Sequence, residues 1–116
     1  MIEIIVLNYL LDQDIDGIGE NVFLEVPEDP PARYIVIEKT GSGRENRISN
    51  ASFAVQSISA NSLLEAASTN EAVKAAMDVF AENSDKIYSC RLDTDYNFTN
   101  TATKEYRYQA VFNLHF

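Results

Sequence analysis

Glu105-Tyr-Arg-Tyr-Gln-Ala-Val-Phe-Asn-Leu-His-Phe116 alternates without a break. Tyr106, Tyr108, Ala110, Phe112, Leu114 and Phe116 fall on one side; Arg107, Gln109, Val111, Asn113 and His115 fall on the other. A period of two is the signature of a strand with one face on a core. The alternation runs to Phe116, so this end is expected to belong to the fold. Working back from it, Ile87 to Asp95 reads as a partner strand, with Tyr88, Cys90 and Leu92 on one face. Between the two lies a polar hairpin loop, residues 97–103 (NFTNTAT).

Upstream, Ser62 and Glu65 form an S-x-x-E helix start, and Leu63, Ala67, Val73, Met77 and Phe80 make a stripe on a helix to about residue 82. Ser68 and Glu71 repeat the pattern, which allows a break near Thr69. Ile48 to Ala60 alternates as a strand, and so does Arg33 to Thr40, whose two faces are both partly apolar. Thr40 to Arg47 (TGSGRENR) is polar and glycine-rich and predicts an exposed loop. Val22 to Val26 predicts a short strand, closed off by Pro27, Pro30 and Pro31. At the start, Ile2, Ile5, Val6, Tyr9 and Leu10 follow helical spacing over residues 2–12, with Ile4, Leu7 and Leu11 widening the face. The Ile and Val content leaves a strand as the rival there. The order is α-β-β-β-α-β-β. It predicts an α+β fold: one mostly antiparallel sheet of about five strands, two helices on one face, and one domain over residues 1–116.

Composition narrows the function. The chain of 116 residues carries a net charge of −9. Residues 1–30 hold eight acids and no Lys or Arg, whereas the remainder has ten acids against nine bases. Such a chain repels nucleic-acid phosphate, so specific DNA or RNA binding is not expected. Cys90 is alone, which excludes an internal disulfide and multi-cysteine metal sites and suits a reducing compartment. No apolar run reaches membrane-spanning length, and MIEIIVLNYLLDQD lacks the basic leader and cleavage site of a signal peptide.

Asp12, Asp14, Asp16 and Gly17 spell the opening half of an EF-hand calcium loop. The position for the closing bidentate Glu holds Phe23, and a strand follows instead of a helix. A calcium- or ligand-binding module on this loop stays as the alternative of another class. His115 and Cys90, on different strands, do not suggest a nucleophile–base pair. The glycines of Thr40–Arg44 join strands and lack the phosphate-loop lysine. Tyr96, Phe98, Tyr106 and Tyr108 are more simply cross-strand packing than a base-stacking platform, given Asp93, Asp95 and Glu105 beside them. An enzyme is not expected, and neither is a metal or other cofactor.

Two segments, residues 26–48 (VPEDPPARYIVIEKTGSGRENRI) and 90–116 (CRLDTDYNFTNTATKEYRYQAVFNLHF), resemble a family of small proteins in tailed phages and prophages of Gram-positive bacteria, the tail-terminator and head–tail completion group. NEAVKAAM at 70–77 fits the same pattern. The resemblance implies a sheet flanked by helices. It implies a homo-oligomeric ring, usually a hexamer, that stops growth of the tail tube and docks onto the head, with no catalytic residue. Its partners would be the tail-tube protein and head-connector proteins, and its place the virion, after assembly in the host cytoplasm. A connector or minor tail protein is the nearest alternative. A ring needs two different surface patches on each subunit. The expected contact residues are Gly41, Ser42, Gly43, Arg44 and Arg47 in one loop and Asn97, Phe98, Thr99, Asn100 and Thr101 in the other. Asp12, Asp14 and Asp16 are expected to line a channel that DNA crosses without sticking.

Overall fold

The computed structural model describes residues 1–103 and 105–116. Helix α1 spans Ile2–Asp12, strand β1 Val22–Phe23, β2 Arg33–Glu45, β3 Ile48–Ser59, helix α2 Leu63–Asp78, α3 Phe80–Asn83, β4 Ser89–Asn97 and β5 Tyr106–His115. The five strands form one sheet in the order β1-β2-β3-β5-β4. Among the described residues only the β1–β2 pairing is parallel. The α+β reading therefore holds, with the last strand inserted between β3 and β4.

The alternations set the core. Ile35 and Ile37 of β2, Phe53 and Val55 of β3, and Ala110, Phe112 and Leu114 of β5 point to one side and are buried. Val6 and Leu10 of α1 and Val73 and Met77 of α2 pack into the same cluster. Both main helices thus cover one face of the sheet. Tyr9 ties them to α3 and α2: its ring stacks on Phe80 at 4.0 Å between centroids, and its hydroxyl donates to the Ala76 carbonyl at 2.6 Å. The other face carries a small cluster of Tyr34, Val36 and Ile58 with Phe23 against it. Beyond that cluster, hydrogen-bonded polar pairs tile the face, Gln56 to Gln109 at 2.9 Å and Ser52 to Asn113 at 2.8 Å.

Five local expectations are corrected. Thr40–Glu45 is not a loop: it continues β2, paired with β3 as far as Glu45 opposite Ile48. Only Asn46 and Arg47 turn, at φ 52° and 67°. Positive φ at both central residues is the two-residue hairpin turn that matches strand twist. The backbone ladder needs no apolar side chain, which is why a polar glycine-rich run can still be strand. β1 stops at Phe23, leaving Leu24 and Val26 exposed rather than in a strand. β4 begins at Ser89 rather than Ile87.

The second helix breaks at Val79, not near Thr69. Ser62 caps it by accepting from the Glu65 N–H at 3.1 Å. Thr69 stays helical, with its hydroxyl donating to the Glu65 carbonyl at 2.9 Å and accepting from Arg33 at 2.9 Å. The buried stripe is Ala66, Thr69, Asn70, Val73 and Met77, continued by Phe80 of α3, while Leu63 is exposed. An S-x-x-E repeat starts a helix only where the chain is free to begin one.

Candidate interaction surface

Three regions carry the residues singled out by sequence. The first is the far half of the β2–β3 hairpin. From Glu38 to Ile48 every residue is exposed. Gly41 has open space where a Cβ would sit, and Gly43 faces the Asn50 side chain. Gly41, Ser42, Gly43 and Arg44 are thus strand residues and Arg47 is at the turn. Ser49 exchanges backbone hydrogen bonds with Phe116 at 2.9 Å, which carries the β3–β5 pairing almost to the hairpin turn.

The second region is the β4–β5 connection. Asn97 closes β4, and its side chain accepts from the Thr99 N–H at 3.0 Å. Asn100 repeats this toward the Ala102 N–H at 3.1 Å, and bridges to Glu105 across the hairpin. Thr99 also accepts from the Arg107 N–H at 3.2 Å. Phe98 lies half exposed on Tyr96, ring centroids 5.9 Å apart, with the Arg107 guanidinium 5.7 Å from its ring centre. Such contacts are worth about 0.5–1 kcal/mol at an exposed site. The tip is thus an ordered platform of amide and aromatic groups. Thr101 is exposed on it, and Lys104 lies outside the described residues.

The third region is the loop after α1. Asp12, Asp14 and Asp16 are all exposed, while Ile15 and Ile18 between and beyond them are buried. Gly17 stands at φ 78° with the Arg33 guanidinium where a Cβ would be, and Arg33 reaches the Asp16 carbonyl at 3.4 Å. Burial of Ile15 and Ile18, with the Arg33 contacts to Gly17 and the Asp16 carbonyl, therefore anchors this loop. Among the described residues, no group of three His, Cys, Asp or Glu side chains is placed to hold a metal ion. This loop and the hairpin tip lie at opposite ends of β2, since Arg33 opens that strand and Glu45 ends it.

The remaining candidates are structural in placement. Burial, with Asp78 adding to it, pushes the Cys90 thiol up to about 12, so it holds its proton at neutral pH. His115 is exposed and shares a 3.0 Å hydrogen bond with the Ser89 hydroxyl. One polar device was not legible beforehand. Asp95 accepts from Lys74 at 3.0 Å and from Asn70 at 2.9 Å, which fastens β4 to α2. The Lys74 hydrogen bond holds the Asp95 carboxyl below its ordinary range, and the same bond raises the Lys74 ammonium. The bulge between Leu92 and Thr94 makes the contact possible. It turns Asp95 to the helix side, where simple alternation from Cys90 and Leu92 would have put Thr94.

The sequence matches no family model and no curated protein. In three dimensions the chain is similar to one in the solved virion of a native gene transfer agent (GTA) particle. The TM-score is 0.65 at 14% identity, over 96% of this chain and 83% of that chain. At that identity the likeness is one of fold.

Proposed function

We propose that this chain is a structural subunit of a tailed, phage-like particle, and specifically a tail terminator. In this reading copies assemble into a ring, a hexamer by the family resemblance, that caps the tail tube and presents a docking surface to head-connector proteins. The observation that carries the reading is the fold likeness to a virion chain over 96% of the sequence, reached independently of the textual resemblance in residues 26–48 and 90–116. The bare hairpin end at Gly41–Arg47 and the ordered tip at Asn97–Thr101 supply the two different patches that a head-to-tail ring requires. Asp12, Asp14 and Asp16, exposed at the other end of β2, face the channel and keep DNA from sticking. The chain works by assembly, without catalysis or a cofactor, in the virion and, before that, in the host cytoplasm.

The test is tube growth. Added to polymerising tail-tube subunit, the protein arrests elongation at a length set by the time of addition. Tubes that elongate at the same rate with or without it exclude termination and move the assignment to a connector or minor tail protein.

A further inference from the structure

We infer that the ring is closed by strand addition: the open edge of β4 in one copy pairs, antiparallel, with the open edge of β2 in the next. This rests on the assembly reading above and adds to it which surfaces meet. Among the described residues β4 is an edge strand, and all of its residues from Arg91 to Asn97 except Asp95 are exposed. On the opposite side, β1 pairs with only Ile35 and Val36, so β2 is open from Ile37 to Glu45. The two open stretches are each nine residues long. An unpaired row of N–H and C=O groups of that length is a template for another strand.

Strand polarity selects the pairing. β2, β3, β5 and β4 alternate in direction across the sheet. β4 therefore runs opposite to β2. A second copy that continues the sheet with the same strand directions lays its β2 antiparallel against the first copy's β4. Repeating one such contact gives a heterologous interface, which closes when the rotation closes. Phe98 donates its N–H to the Arg107 carbonyl at 2.7 Å. By ladder alternation the N–H groups of Asp95 and Asn97 then point to the open side.

Charge and apolar surface agree. With Ser42 set across from Thr94, antiparallel pairing places Arg91 of β4 across from Glu45 of β2, both on the sheet face that carries Ser52 and Asn113. Antiparallel pairing sets opposite signs together. A two-fold β4–β4 pair would instead put Asp93, the middle residue of the strand, across from itself. Tyr88 before β4 and Leu92 within it stand exposed, and Met1 and Leu24 stand exposed in a cleft along β2. Each open strand also carries a bulge, at Thr40 and at Asp93, and bulges supply the bend that a closed sheet needs.

The experiment uses full-length protein in a Cys90→Ala background. One variant carries Ser42→Cys on β2 and another Thr94→Cys on β4, and a short bis-maleimide joins thiols in each alone and in the mixture. The expected result is a product from the mixture and none from either variant alone. Adding Arg91→Glu to the β4 variant removes that product, and Glu45→Arg in its partner restores it. Products from the Thr94→Cys variant alone mean a two-fold β4 dimer and overturn the inference, as does the absence of any product. The same proteins are scored for arrest of tube growth. Arrest without the mixed product sinks the edge pairing and leaves termination standing; the mixed product without arrest does the reverse.

Discussion

β2 is two strands in one. From Tyr34 to Ile37 its residues are buried, and from Glu38 to Glu45 all are exposed. The same backbone ladder to β3 runs through both halves, broken only by the bulge at Thr40. The first half is held by side chains, with Ile35 and Ile37 under the helices and Tyr34 and Val36 in the small cluster behind. The second half is held by main-chain hydrogen bonds and by a turn whose two residues have positive φ. A protein that folds alone gains little from eight exposed polar residues extending a sheet. A protein that assembles gains an edge.

The contrast can be broken where the effects are large. Phe53, fully buried at the centre of the helix-covered face, is the strongest case. Phe53→Ala should cost about 3–5 kcal/mol, read by urea unfolding. A loss below 1 kcal/mol would mean that the core does not sit where the alternations put it. Gly17→Ala comes next. It forces a side chain into left-handed backbone and onto the Arg33 guanidinium, for about 1–2 kcal/mol. An unchanged midpoint would show that the loop is not pinned there.

Asp95→Asn is smaller still and depends on pH. The folded-state carboxyl is depressed, so its contribution is present above the ordinary value of 3.8 and is lost as pH falls through the folded value. The Lys74 ammonium is raised, so its share is full below 10.5 and is lost as pH climbs through the folded value. The wild-type advantage over Asp95→Asn should therefore fade at both extremes and hold between them. An advantage that stays constant down to pH 2 would refute the coupling. Substitutions in the bare half come last. Ser42→Lys should change stability by no more than about 0.5 kcal/mol, yet weaken self-association as seen by sedimentation.

What could be read from sequence follows the same division. Where burial imposes a period, the reading was close. Ile2, Val6, Tyr9 and Leu10 mark α1 to its ends, and Ala110, Phe112 and Leu114 fix the facing of β5. Where backbone geometry alone decides, the residues were silent. Thr40–Glu45 read as a loop because glycine and polar side chains are frequent in loops, and Asn46-Arg47 lacks the glycine that flags a two-residue turn. The bulge that turns Asp95 toward Lys74 has no signature, because Asp93-Thr94-Asp95 is polar on both sides. The insertion of β5 between β3 and β4 is a long-range choice that local patterns do not encode. The candidate contact residues apart from aromatic Phe98 and half-buried Thr99 were legible as polar or glycine and exposed, but the open edges of β2 and β4 became visible only with the strand order.

The most direct measurement is negative-stain imaging of the protein mixed with its cognate tail-tube subunit. The account predicts rings seated on tube ends, one ring per capped end, with tubes of defined length. Tubes of unlimited length with bare ends would contradict it.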